Sequence, residues 1–218
     1  VAPVVESWTE DERLAQEKLT LGLYLTGHPI TRHEAAITPF ITDRLGPLAE
    51  RHDRSGMPEV GYGRRQETRV VVAGLIVELR MKQNKNGKRM AFMTLDDRTG
   101  RIEVALFSEA YERFREYVVK DQLVVVEGGL SWDDFAGQLR LSADNIMRIG
   151  EARARFAKRL QIRWGDAAPA WVSTLKETLE PYRGGECPVF IERHLDSARA
   201  VVQLGEPWRV VPKEALLN

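Results

Sequence analysis

One stretch constrains this chain more than any other. Residues 70–79 are β-branched and apolar, Gln83-Asn84-Lys85-Asn86-Gly87 is a turn cluster, and 88–95 reads as a second strand. Residues 97–100 make a tight turn into a third strand over 101–107. The period then changes. Over 108–117 Ser108 can cap a helix, Glu109 suits its first turn, and Ala110, Phe114 and Tyr117 share one face. Residues 123–130 and 138–149 read as fourth and fifth strands around a loop at 132–137.

Three strands, a helix and two strands is the order expected of a five-stranded OB-fold barrel. Before it, Thr9 and Glu12 form a capping box that predicts a helix over 10–25. Leu14, Leu21 and Leu25 would be its apolar stripe, widened by Leu19 and Leu23, with Gly27 and Pro29 ending it. The Gly- and Pro-rich stretch 43–65 reads as a linker. After Gly150 come a short basic helix over 151–159, a strand over 160–164 and a helix over 169–179. Strands over 188–193 and 198–204 follow, then a turn at Glu206-Pro207 before 208–211. The expected architecture is mainly β plus α+β. It has a helical lead-in and linker (1–65), an OB-fold domain (66–149) and a small C-terminal α+β domain (150–218). Val1 is not a methionine, so the chain reads as a piece of a longer one.

Lys plus Arg and Asp plus Glu each number 32, and the zero net charge argues against a polybasic protein that coats nucleic acid by bulk charge. A single cysteine, Cys187, excludes a disulfide framework and a Cys-rich zinc site. With no apolar leader, it fits a reducing cytoplasm. Apolar runs such as 70–77 are far below the roughly 18 residues of a membrane helix, so no membrane contact is expected.

Catalytic motifs are missing from the sequence. It has no Gly-rich phosphate loop, no Gly-x-Ser-x-Gly, no His-Glu-x-x-His and no paired Cys. His28 and His33 straddle Pro29 and cannot share a helical face; they read as surface or capping residues. Asp96-Asp97 and Asp133-Asp134 read as turn and loop acids, since neighbours on a strand point to opposite faces. No catalytic residue, metal ligand or cofactor is expected here.

The positive signal is a local charge. Residues 66–149 hold 13 basic and 13 acidic residues, yet 79–95 holds Arg80, Lys82, Lys85, Lys88 and Arg89 with no acid. That is loop 1–2 of the barrel, where OB-folds meet oligonucleotides and where cations would meet phosphates. The plain alternative is a solvated hairpin tip. Single-stranded bases also need rings to stack on. If Ala91, Met93 and Leu95 face the core, Phe92 faces out. If Ile102, Val104 and Leu106 face the core, Glu103 and Phe107 face out. Glu103 would then oppose a phosphate backbone or make a base contact. Trp132 and Phe135 are further candidates in loop 4–5. Each ring could instead pack under the helix or form a small apolar lid.

Glu17-Lys18-Leu19-Thr20-Leu21-Gly22-Leu23-Tyr24-Leu25-Thr26-Gly27-His28-Pro29-Ile30 closely resembles the segment before the OB domain of the bacterial replicative DNA polymerase III alpha subunit. Phe92-Met93-Thr94-Leu95-Asp96-Asp97-Arg98-Thr99-Gly100-Arg101-Ile102-Glu103-Val104 resembles that OB domain. Glu151-Ala152-Arg153 and Leu179-Glu180-Pro181-Tyr182-Arg183 resemble its C-terminal domain. The resemblance implies a non-catalytic fragment that binds single-stranded template DNA and contacts the tau subunit of the clamp loader. It implies a magnesium-dependent DNA-directed polymerase as the parent chain, a sliding-clamp motif upstream of Val1, and a C-terminal domain truncated at Asn218. Two other readings stay open: the anticodon-binding OB domain of an aminoacyl-tRNA synthetase, and a protein-interaction module.

Overall fold

Five strands close into a barrel in the computed structural model, which describes residues 8–22, 24–52, 68–133, 136–164, 171–195 and 198–217. They are β1 (Thr68–Gln83), β2 (Arg89–Asp96), β3 (Arg101–Leu106), β4 (Leu123–Asp133) and β5 (Gln138–Met147), in the order β1-β2-β3-β5-β4. β1 pairs antiparallel with both β2 and β4, while β3 meets β5 in parallel. This is the expected OB-fold. The interior is filled from alternate positions: Val72, Ile76, Met93, Leu95, Val104, Val126 and Leu141 are all buried. The chain clusters into two compact units, residues 1–146 and 147–218.

In the first unit, helix α1 (Glu10–Leu21) starts at the expected Thr9–Glu12 capping box. It ends sooner than the sequence suggests. Gly22 takes φ +74°, the left-handed cap that an L side chain resists. The Glu17 carboxylate then accepts the N–H groups of Leu25 and Thr26 at 2.8 and 3.0 Å, turning the chain away. The expected leucine stripe does not form: Leu14 is buried, but Leu19, Leu21 and Leu25 are exposed.

A 3-10 turn (Thr31–His33) leads into the short helix α2 (Glu34–Ile37), and a longer helix, α3 (Leu45–Arg51), occupies part of the stretch read as a linker. Leu45 and Leu48 are fully inside the barrel's core cluster. Arg44, at the N-cap, supplies no side-chain cap. The β2–β3 turn supplies it instead. The Leu45 N–H donates to Asp97 Oδ2 at 2.8 Å and the Gly46 N–H to Thr99 Oγ1 at 3.0 Å. Pro47, in the first turn, has no N–H to satisfy. The approach is close enough to require glycine, since a Cβ on Gly46 would lie 2.5 Å from the Thr99 carbonyl oxygen. Helix α4 (Ser108–Phe114) closes the barrel's end between β3 and β4, with Phe114 in the core.

The second unit carries α5 (Ile149–Phe156), β6 (Leu160–Trp164), α6 (Trp171–Leu179), β7 (Arg183–Cys187), β8 (Val189–Leu195), β9 (Ala198–Gln203) and α7 (Glu214–Leu217). Three strands form a sheet in the order β6-β8-β9, parallel then antiparallel. Leu179, Cys187, Val189 and Val210 form a buried core. Strand β7, which the sequence reading missed because of Gly184 and Gly185, bridges to Val210. The start of the expected 169–179 helix lies outside the described residues before Trp171.

Candidate nucleic-acid interface

The β1–β2 hairpin is shaped by Asn84. Its Oδ1 accepts the N–H groups of Asn86 and Lys88, both at 2.9 Å, and its backbone pairs with Lys88 and Gly87. Its Nδ2 reaches the Ser108 hydroxyl at 3.3 Å, which ties the hairpin to the start of α4. Lys82, Lys85, Lys88 and Arg89 are all exposed. Among the described residues, Lys85, Lys88 and Arg89 have no ion-pair partner.

The face assignment from alternation agrees with the structure on β2. Ala91, Met93 and Leu95 are buried, while Met90, Phe92 and Thr94 lie on the outer face, partly exposed. The register sets Arg80 opposite Phe92 on β1, and Ala105 opposite it on β3. Two cations flank the ring: Lys82 Nζ lies 5.1 Å from its centroid and the Arg140 guanidinium 5.6 Å. Both distances fit cation–π attraction.

Glu103 is on this face but does not confront an incoming phosphate. It is 9% exposed and held by Arg80 on one side and Arg140 on the other, with Arg140 Nε donating to it at 2.8 Å. Arg140 also pairs with Asp133. Glu103 therefore neutralises part of the site and orients two guanidiniums beside Phe92. The same contact occupies Arg80, so among the described residues four of the five hairpin cations have no acidic partner. Arg140 was not singled out in the sequence. The signal was available: Leu139 and Leu141 are buried, which leaves Arg140 on the outer face beside Glu103.

Phe107 is 53% exposed, next to Ser108, whose hydroxyl meets Asn84 in the hairpin turn. Trp132 lies within strand β4 rather than in the expected loop at 132–137, half-buried and packed against the barrel core. Phe135 and Asp134 lie outside the described residues. The Asp96–Asp97 pair serves the turn. Asp97 Oδ1 accepts from the Thr99 N–H and hydroxyl and from the Gly100 N–H, and Asp96 accepts from the Arg98 N–H and Arg101 Nε. Among the described residues no three His, Cys, Asp or Glu side chains gather to hold a metal, and no helix is long and apolar enough to cross a membrane.

Two family profiles match the chain. Residues 70–149 match the OB-fold nucleic acid binding domain, and 174–218 match the DNA polymerase III subunit alpha, C-terminal domain. Curated relatives include DNA polymerase III subunit alpha of Vibrio cholerae, 40% identical over 217 residues, and that of Pseudomonas aeruginosa, 42% identical over 220. The Escherichia coli protein is 36% identical over 215 residues. Each alignment covers 98% of this chain but only 17–18% of the relative, so the chain spans less than a fifth of their length. Among solved structures, the SSB domain of a Synechococcus protein superposes with a TM-score of 0.35 and 14% identity, over 39% of this chain and all of that one. A mitochondrial single-stranded DNA binding protein from S. cerevisiae gives 0.31 and 23%, over 38% and 93%. At these scores the fold assignment rests on the barrel's own strand order. The chain corresponds to the OB-fold and C-terminal-domain region of the DNA polymerase III subunit alpha family.

Proposed function

We propose that the barrel binds single-stranded DNA across the outer face of β1, β2 and β3, and that the second unit contacts the tau subunit of the clamp loader. One observation carries the first part. Phe92 offers a ring flanked by Lys82 and Arg140, on a hairpin whose Lys82, Lys85, Lys88 and Arg89 have no acidic partner among the described residues. Phosphates would lie along Lys82, Lys85, Lys88 and Arg89, and a base would stack on Phe92. Sequence preference would be slight, because every base has a stacking face and because Glu103 is turned inward to its arginines. The tau contact rests on the family match over 174–218.

Filter binding of the chain to a labelled dT oligonucleotide, at low and moderate salt, tests the first part. Binding that weakens with salt is expected. No binding at low salt would refute it, and tighter binding to a tRNA than to the oligonucleotide would favour an anticodon-type module.

A further inference from the structure

Helix α6 does not fully cover the sheet beneath it. The register aligns Trp164, Arg193 and Ala200 across β6, β8 and β9, and Ile162, Ile191 and Val202 in the row beside them. Between this face and α6 lies an open cleft of about 420 Å3. A second hollow of about 330 Å3 shares Trp164, Trp171 and Leu175 with it. The two hollows flank the Trp164–Trp171 pair, whose ring centroids are 4.8 Å apart. An elongated ligand fits that layout better than a compact one.

The chemistry of the cleft is selective. Its walls are apolar, and Val172 and Val202 stand 58% and 57% exposed at its rim. Its charged side chains are Lys176 and Arg193, both cationic. Neither has an acidic partner among the described residues, and Arg193 lies over the Trp164 ring at 4.5 Å. The Trp171 indole N–H is buried with no acceptor among the described residues. Buried donors normally find one, because an unpaired donor has lost its water without replacement. An exposed aromatic and aliphatic patch rimmed by cations, with a spare donor inside, has the composition of a protein-binding hot spot.

We infer that this cleft receives a peptide segment of a partner protein in which bulky apolar residues alternate with carboxylates. The apolar side chains fill the two hollows around the tryptophan pair. The carboxylates meet Lys176 and Arg193, and a carbonyl or carboxylate oxygen accepts the Trp171 N–H. This deepens the proposed clamp-loader contact, on which it rests, by giving the chemistry of the contacting segment.

The test uses the whole chain with three probes: a short labelled peptide of Leu and Phe interspersed with Glu, its counterpart with Lys in place of Glu, and the tau subunit. The Glu peptide should bind about ten-fold or more tightly than the Lys peptide, and shift tryptophan emission. Val172→Asp and Lys176→Glu sit at exposed positions, so circular dichroism melts should match the parent. Each should weaken both the Glu peptide and tau by about ten-fold. Equal binding of the two peptides, or variants that bind the Glu peptide like the parent, overturns the inference. So does displacement of the Glu peptide by oligo-dT, or self-association that Val172→Asp abolishes. If tau binds but neither variant affects it, the cleft inference fails and the tau reading stands. If tau does not bind while the Glu peptide binds and responds to both variants, the tau reading fails and the cleft keeps its assigned chemistry.

Discussion

Lys82 Nζ sits 5.1 Å from the centre of the Phe92 ring, across the β1–β2 ladder. A cation and an outward ring are thereby joined on one hairpin. On the proposed reading, a strand whose backbone followed the lysines would pass its bases over the ring.

Phe92→Ala should therefore weaken single-strand binding by roughly ten-fold or more, from a stacking contribution of about 1–3 kcal/mol per base. The ring is on the outer face and not in the core cluster, so the melting temperature should fall little. Paired fluorescence-anisotropy and thermal-melt measurements check both halves. A sharp loss of stability with unchanged binding per folded molecule would sink the stacking role.

With Arg80 held by Glu103, four hairpin cations remain for phosphates: Lys82, Lys85, Lys88 and Arg89. At roughly −0.7 per contact on single strands, log K against log salt should slope by no more than about −2.8 through this hairpin. Replacing Lys82, Lys85 and Lys88 by Ala should reduce the slope by about 2. A slope that does not change would place the contact surface elsewhere.

Glu103→Gln tests the other side of this balance. It frees Arg80 and Arg140 from the carboxylate that holds them. Arg140 keeps its Asp133 partner, so binding should tighten and the salt slope should steepen by about 0.7, one further contact at the single-strand value. Stability should fall, because two guanidiniums lose a shared partner that is 9% exposed. Weaker binding in the variant would mean that Glu103 itself meets a base.

The barrel was legible in the sequence because its signals are local. The alternation of Ala91, Met93 and Leu95 placed Phe92 on the right face, and Asn84 and Gly87 marked the hairpin. What stayed hidden depends on partners far along the chain. The cap of α3 comes from Asp97, so Leu45-Gly46-Pro47 looked like a linker. Arg140 reaches Glu103 only through the parallel β3–β5 pairing. Leu19, Leu21 and Leu25 follow a helical period with Leu14, but all three are exposed, and Leu23 lies outside the described residues. Spacing alone cannot distinguish a core stripe from an exposed one.

Asp97→Asn should show how strongly the lead-in is fastened to the barrel. One carboxylate accepts from the Leu45 N–H on one oxygen and from three donors of the β2–β3 turn on the other. An amide offers only one oxygen and turns its NH2 toward donors. The loss should be about 1–3 kcal/mol, the cost of buried donors left unpaired. Urea unfolding at neutral pH measures it. A change of a few tenths would mean that Leu45 and Leu48 hold α3 by packing alone.

The last prediction concerns pH and His28. Its Nδ1 accepts the Ile30 N–H at 3.2 Å, and its Nε2 lies 3.8 Å from Asp96. Burial pushes its pKa below the ordinary 6.5, and nearby Arg98 pushes the same way; Asp96 and Asp97 pull it upward but do not prevail. The folded state thus takes its proton later than the unfolded chain does. As pH falls from about 6.5 toward the folded value, the unfolded state binds more protons and stability is lost; above 6.5 the contribution is intact. Burial also raises Asp96, yet the hydrogen bonds from Arg101 and the Arg98 N–H outweigh it and leave its pKa below 3.8, outside this window. His28→Gln keeps a polar side chain and removes the titration. Urea midpoints at about pH 7.5 and about pH 5.5 should therefore differ less in the variant than in the parent. If the two show the same drop, the acid sensitivity comes from other groups, and His28 is neutral to the linkage between the 28–31 segment and the β2–β3 turn.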